Sequence, residues 1–294
     1  MTVNEFLQKL LKSQALTQQM LDDLSSYRQE VEEFLREKFG EEPTIRYGGS
    51  KAKGTMIKEN YDLDIVCYFP RECDRDIKDI YNDVHKKLSE KYFVTPKTSA
   101  LRIQKVDNNK AKLDYHIDVV PGRFVDDKKR EAFLYVAQRE GSRIKTDLEK
   151  HIDVISKSGC VDLIRLGKLW RVRNNISLRT FLLELLVIDC LKGSRSKDDL
   201  QSSFKQFLEY LRDSISDVRL EDPANTNNVV SDNWSDGERE IISSKAKEAL
   251  DIIDSEFDDP EKWREIFKEP KANKYIADSS IVVTGERLSK PWCA

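Results

Sequence analysis

Asp62 and Asp64 stand two residues apart in the segment Tyr61 to Phe69, where Tyr61, Leu63, Ile65, Cys67 and Phe69 alternate with Asp62, Asp64, Val66 and Tyr68. That alternation is the period of a β-strand, and side chains two apart on a strand share a face, so the two carboxylates lie side by side. Like charges so placed repel each other unless a cation neutralises them. Oxygen-only donors suit Mg²⁺ or Mn²⁺, not zinc. A third carboxylate, Asp118, follows on a second strand pattern, Lys112 to Val120, sharing a face with His116 and Asp114 opposite Leu113, Tyr115, Ile117 and Val119. A neighbouring strand of this kind completes a two-metal site. Two divalent ions about 3.5–4 Å apart can activate an attacking hydroxyl and neutralise a leaving pyrophosphate in an in-line displacement. Asp114 competes with Asp118 for the third position, and His116 reads as a strand histidine outside the site. Just upstream, Gly48-Gly49-Ser50 and Gly54-Thr55 form a tight polar turn. Such a turn lets backbone N–H groups and a hydroxyl approach phosphates, which makes Gly49 and Ser50 phosphate ligands and not nucleophiles.

The elements that must carry these residues are legible from periodicity. Apolar positions from Met20 to Leu35 follow three-four spacing within Thr17–Lys38 and end at Gly40, which predicts one long amphipathic helix. Thr44–Tyr47 and Tyr61–Phe69 read as two strands around the Gly-Gly-Ser turn. Asp74 is expected to cap a helix reaching about Tyr92, followed by strands at Leu101–Val106 and Lys112–Val120 and a hairpin of Arg123–Val125 with Phe133–Val136. After Lys145 strand signals stop. Thr146 and Glu149 take capping-box positions, and helices are expected at Val161–Arg173, Leu178–Leu191, Lys197–Ile215 and Asp236–Phe257, the last opened by Ser235 and Glu238. Phe181–Leu191 is apolar nearly all round, which predicts a buried spine. Glu221–Trp234 reads as a polar loop. These patterns predict an α+β protein with a mixed-sheet catalytic lobe over 1–145, including the N-terminal helix, and a helical lobe with a C-terminal tail over 146–294.

The bulk composition excludes several classes. With 294 residues, 50 Lys and Arg against 53 Asp and Glu, and a net charge of −3, the chain has no basic surplus for coating nucleic acid. The most apolar run, Phe181–Leu191, is far shorter than the roughly 20 residues a membrane span needs. Five scattered cysteines without a CxxC pair, and three histidines, argue against a zinc module or a disulfide framework. No signal peptide opens the chain. A cytoplasmic protein in a reducing compartment is expected.

Gly49-Ser50, the Asp-x-Asp strand twelve residues later and the distal Asp118 resemble the polymerase-β-type nucleotidyltransferase superfamily. Within that resemblance Asp118 is preferred over Asp114, because it directly precedes the Val-Val-Pro that follows the third carboxylate in such enzymes. The second half, through Leu163–Trp170, Ile176–Leu186 and Asp222–Asn228, resembles the helical half of the CD-NTases. These are bacterial relatives of cyclic GMP-AMP synthase and oligoadenylate synthase that act in CBASS anti-phage defence. The likeness runs from about Glu30 to Phe267. It implies a bilobed, polymerase-β-like fold and catalysis by Asp62, Asp64 and Asp118 with two Mg²⁺ or Mn²⁺ ions. It also implies NTP substrates joined into a cyclic di- or trinucleotide, with pyrophosphate released. The product would activate an effector, operon-encoded regulators would act on the enzyme, and no membrane or obligatory nucleic acid would be involved.

By position, the resemblance puts Lys168 on the donor triphosphate, Thr180 at a phosphate and Phe181 against the donor base. Thr180-Phe181 replaces the family's Ser-Tyr pair and loses the phenol. A solvated-helix role for Lys168 and a plain core role for Phe181 remain the alternatives. A tRNA CCA-adding nucleotidyltransferase has similar head motifs, but the length leaves no domains to grip a tRNA. A non-catalytic nucleotide-binding scaffold is disfavoured by the presence of all three carboxylates. The C-terminal residues 275–294 hold a strand-like Ser280–Thr284, and a small final residue is compatible with conjugation through the C-terminus.

Overall fold

The computed structural model describes residues 1–107, 110–111, 117–137, 143–193, 199–232 and 234–268. Asp114, His116 and the C-terminal tail lie outside them. The elements run α1 (Val3–Ser13), α2 (Gln18–Phe39), β1 (Thr44–Tyr47), α3 (Gly49–Lys53), β2 (Leu63–Phe69), α4 (Ile77–Leu88), β3 (Tyr92–Pro96), β4 (Leu101–Asp107) and β5 (Lys110–Ala111). They continue with β6 (Ile117–Phe124), β7 (Glu131–Tyr135), β8 (Arg143–Asp147), α5 (Leu148–Ser156), α6 (Val161–Arg173), α7 (Thr180–Cys190), α8 (Leu200–Asp213), β9 (Glu221–Asp222), β10 (Asn225–Val229), α9 (Asp236–Ile253) and α10 (Pro260–Phe267).

These elements form two compact units, and the boundaries differ from the expected cut at 145/146. One unit takes residues 1–14, 159–220 and the described residues from Ser231 onward; the other takes 15–158 and 221–230. Helix α1 therefore belongs with the helices, and the β9–β10 hairpin belongs with the sheet.

In the sheet unit the strands run in the order β1-β2-β6-β4-β3, with β7 extending from β6 and pairing β8. β2 and β6 are parallel, whereas β1 joins β2 and β4 joins β6 antiparallel. Strand alternation gives the sheet two apolar faces. Leu63, Ile65, Cys67 and Phe69 pack with Leu24, Val31 and Leu35 of α2 and Ile80, Val84 and Leu88 of α4, while Val66, Tyr68, Val120 and Phe124 pack with Leu134, Ile144 and Leu148. Every residue of β2 is buried as a result.

Several elements depart from the sequence expectations for local reasons. α4 is capped at Asp76 and stops at Ser89, and the aromatic and β-branched run from Tyr92 opens β3 where a helix end was expected. Thr146 is still paired in the sheet opposite Ala132. Asp147 is the cap of α5, its side chain accepting from the Lys150 N–H at 3.0 Å. The polar loop at Glu221–Trp234 contains the β9–β10 hairpin, held to the sheet unit by Asn225 Nδ2 donating to the Lys145 carbonyl. α1, with its Thr2–Glu5 capping box, and α10, with Pro260 in its first turn, were not anticipated.

The helical unit is built around α6 and α7. Every residue of α7 from Phe181 to Val187 is buried, as expected of a spine. Gly167 on α6 faces Leu183 and Phe207. Phe204 gathers Trp170, Phe207, Trp263 and Phe267 in tilted and edge-on contacts. The Ser235–Glu238 capping box opens α9.

Candidate active site

Three residues align across adjacent strands. Asp64 on β2 is the register partner of Asp118 on β6, and Asp118 is the register partner of Arg102 on β4. By alternation all three lie on the face opposite α2 and α4, since Leu63, Ile65, Leu101, Ile103, Ile117 and Val119 fill the other. Asp62 immediately precedes β2 and is half-buried. The parallel strand pair thus brings Asp64 beside Asp118, with Asp62 one residue before β2.

The electrostatics of this group are unbalanced. Asp64 is buried, and its carboxyl is pushed well above its usual range, first by burial and then by the charges of Asp62 and Asp118, against the opposing pull of Lys53 and Arg102. Asp118 has a dedicated cation. Arg102 Nε donates to Oδ1 and Nη2 to Oδ2, each at 2.8 Å. The Arg102 pKa is raised although burial opposes it, because Asp118 accepts both bonds and Asp62 and Asp64 add their fields. Arg102 and the buried Lys53 were not found from the sequence. The alternation Leu101-Arg102-Ile103 marks a cation on one strand face, but only the register shows what it faces.

The Gly-Gly-Ser segment opens a helix, α3, where a turn was expected. The Gly48 N–H donates to the Asp64 carbonyl at 2.9 Å, which ties the loop to β2. Gly49 has φ +54°, and a Cβ there would overlap the Asp64 carboxylate. Glycine is required at this position because the Asp64 carboxylate packs against bare backbone. Ser50 is buried on α3, one residue further on. Leu148, the first residue of α5, lies against Gly48. α5 is itself fixed by a fully buried pair, His151 Nε2 with Asp222 Oδ1 at 2.6 Å, and Asp222 also accepts from the Ala224 N–H and from Asn228 Nδ2.

The three residues expected at the nucleotide from the helical half have partners within their own unit. Lys168, 3% exposed, donates to Glu184 Oε1 at 2.7 Å, with Glu184 at 0%. Its ammonium is held by a buried carboxylate where a triphosphate contact was expected. Thr180 Oγ1 accepts from Arg171 Nη1, which also donates to the Leu178 carbonyl. Phe181 is buried in the spine, the arrangement of a core aromatic.

Residues 1–158 match the family model of the Second Messenger Oligonucleotide or Dinucleotide Synthetase domain, SMODS. The chain belongs to this family. It is a nucleotidyltransferase, of the kind that makes oligonucleotide second messengers. The synthetase is 23% identical over 253 residues to the Escherichia coli (strain KTE188) CBASS oligonucleotide cyclase CdnC, covering 74% of this chain and 79% of the relative. Its fold matches E. coli MS115-1 CdnC solved with ATP, with TM-score 0.71, 18% identity and coverage of 90% of this chain and 98% of the other. It also matches the Bradyrhizobium diazoefficiens CD-NTase CdnG in complex with GTP, with TM-score 0.72, 12% identity and coverage of 89% and 94%. The expected α+β nucleotidyltransferase fold is therefore present.

Enzymes of this family generally depend on a divalent metal. The donor set of the synthetase fits one. Its acidic residues offer oxygen donors alone, and the Asp64 carboxyl is raised first by burial and then by the neighbouring charges of Asp62 and Asp118, an environment that a cation would favour. Among the described residues no three Asp, Glu, His or Cys side chains converge closely enough to hold one ion as they stand, and Asp118 is turned onto Arg102. No helix among the described residues is long and apolar enough to cross a membrane.

Proposed function

We propose that the synthetase joins nucleoside triphosphates into a cyclic di- or trinucleotide, releasing one pyrophosphate per bond, and that the product is a CBASS anti-phage signal acting on a nucleotide-activated effector. The observation that carries this reading is the register pairing of Asp64 with Asp118, with Asp62 close enough to raise the Asp64 carboxyl. The CBASS cyclase relatives, and the ATP and GTP bound in structures of the same fold, support the substrate class. E. coli MS115-1 CdnC was also solved in complex with a HORMA protein, which supports an operon-encoded protein regulator for this chain.

In this reading Asp62, Asp64 and Asp118 would hold two Mg²⁺ or Mn²⁺ ions. When bound, the ions supply the positive charge that eases deprotonation of the acceptor hydroxyl and offsets charge on the departing pyrophosphate. The protein does the positioning. Gly49 keeps its backbone against Asp64, Ser50 and neighbouring N–H groups hold the donor phosphates, and Asp118 lies beside the acceptor hydroxyl. The acceptor oxygen bonds to the α-phosphorus as the bond to pyrophosphate breaks. Repetition on the linear product closes the ring. Lys168, Thr180 and Phe181 take structural roles in this reading, shaping α6 and α7 without touching phosphate or base.

The test is mass spectrometry of phosphatase-treated reactions of the full chain with all four NTPs and Mg²⁺, with and without operon-encoded partners. A phosphatase-resistant oligonucleotide that is lost in Asp64→Asn is expected. Products that are all linear, or transfer onto tRNA ends in place of ring closure, would overturn the reading.

A further inference from the structure

Asp64, Asp118 and Arg102 form a row of two negative charges and one positive charge across three adjacent strands. The Arg102 fork covers both oxygens of Asp118 in a charge-assisted, bidentate pair. Leu101 and Ile103, at 0% and 2% exposure, fix the backbone on either side of Arg102, while its own side chain is 28% exposed. A carboxylate held at both oxygens is a poor ligand for an incoming cation, and a guanidinium beside it repels that cation as well.

We propose that Arg102 is a resident counter-ion that competes with the divalent cation for Asp118, so that loading the site requires the guanidinium to release at least one carboxylate oxygen. The inference rests on the metal-dependent reading of the site above. Arg102 is a positioning residue in this account. Without nucleotide it limits the repulsion among the three carboxylates and keeps metal affinity low. With nucleotide present, phosphate oxygens add ligands for the ion and give the freed guanidinium another anion. The cation is therefore held tightly only together with its substrate.

The experiment is Mn²⁺ titration of the full chain, reading free Mn²⁺ by electron paramagnetic resonance, for wild type, Arg102→Met, Arg102→Lys, Lys97→Met and Asp118→Asn. Arg102→Met is expected to bind Mn²⁺ at least about fivefold more tightly than wild type without nucleotide, and Arg102→Lys, which keeps the charge and loses the fork, about twofold more tightly. Lys97, whose pKa is lowered first by burial and then by Arg102, reports the general positive field without covering the Asp118 oxygens. Lys97→Met is expected to change Mn²⁺ affinity less than Arg102→Lys does. ATP is expected to narrow the gap between wild type and Arg102→Met. Unchanged or weaker Mn²⁺ binding in both Arg102 variants, or tightening in Lys97→Met equal to that in Arg102→Met, would overturn the proposal while leaving the metal site intact. No Mn²⁺ binding by any variant, with or without ATP, would remove the metal reading itself and this inference with it. Arg102→Lys keeps the test decisive if Arg102→Met does not fold.

Discussion

The two units treat buried charge in opposite ways. In the helical unit the buried Lys168 ammonium is paired with the Glu184 carboxylate, and the Arg171 guanidinium donates to the Leu178 carbonyl and the Thr180 hydroxyl. In the sheet unit Asp64 is 7% exposed beside Asp62 and Asp118, and Lys53 and Arg102 do not suffice to keep its carboxyl in the ordinary range. In the helical unit each of these buried charges faces a group of opposite charge or an oxygen acceptor. The sheet arrangement keeps a buried carboxyl well above its usual range, first through burial and then through the charges of two neighbouring carboxylates, and such perturbed groups cluster at functional sites.

The largest expected effect follows from removing that repulsion. Asp64→Asn keeps the shape and deletes the charge. Synthesis is expected to fall at least about 10³-fold, more than about 4 kcal/mol of transition-state stabilisation, because in the proposed mechanism Asp64 is an oxygen donor to the metal and the amide is a weaker one. Yet in EDTA the variant is expected to melt higher than wild type, by roughly 2–4 °C for each kcal/mol of repulsion relieved. Mg²⁺ is expected to raise the melting temperature of the wild type and not of the variant. Calorimetry with and without metal checks both arms, and a lower melting temperature in EDTA would mean that Asp64 is stabilised as it stands.

The matched pair should respond in the reverse sense. Glu184→Leu leaves the Lys168 ammonium buried without its carboxylate and is expected to cost about 3–5 kcal/mol, lowering the melting temperature by roughly 10 °C. The double variant Lys168→Met/Glu184→Leu is expected to regain most of that loss, because an apolar pair of similar volume removes both desolvation penalties. The double variant also decides what Lys168 does. An unchanged KM for ATP keeps Lys168 structural, whereas a stable double variant with KM raised at least about tenfold, the scale of one charge-assisted bond, would restore it to the triphosphate.

What the sequence disclosed follows the same division between local and non-local information. β2 was legible because its period-two alternation is carried by consecutive residues, and α6 and the α9 cap were legible from apolar spacing and the Ser235–Glu238 pair. Asp62 and Asp64 could be named from a strand-like pattern, whereas Asp118 was separated from Asp114 only by the resemblance of its Val-Val-Pro context. Their alignment could not, because strand register depends on residues 54 positions apart in the chain. The Arg102–Asp118 fork and the Lys168–Glu184 pair each join residues 16 apart on different elements, which periodicity does not link. β9 and β10 escaped for another reason. Glu221-Asp222 and Asn225–Val229 are mostly polar, and their backbone pairing and the buried His151–Asp222 contact leave no apolar alternation to read.

Gly49→Ala tests whether close approach or mere flexibility explains the glycine. The left-handed backbone alone costs an alanine about 1–2 kcal/mol, and the added Cβ must displace the Asp64 carboxylate. A fall in kcat of at least about tenfold is expected from misplacing that group, beyond a modest loss of stability. Gly54, also at positive φ but with nothing near its Cβ position, serves as the control. Gly54→Ala is expected to carry the backbone cost without the loss of kcat, and equal kcat losses at both positions would reduce Gly49 to a loop residue.

The smallest effect is expected at Ser50, where the proposed phosphate contact would be made by a buried polar side chain without charge. Ser50→Ala removes one hydroxyl from α3 and leaves the Thr55 N–H bond to the Ser50 carbonyl, at 3.0 Å, untouched. One hydrogen bond to a phosphate is worth roughly 1.5 kcal/mol, so KM for the donor NTP is expected to rise about tenfold. kcat and the metal-free melting temperature are expected to stay near wild type, as measured by initial rates and calorimetry. A fall in kcat at constant KM would mean that the hydroxyl acts on the reacting atoms. A drop in melting temperature with both constants unchanged would place Ser50 among the matched, structural polar groups that otherwise characterise the helical unit.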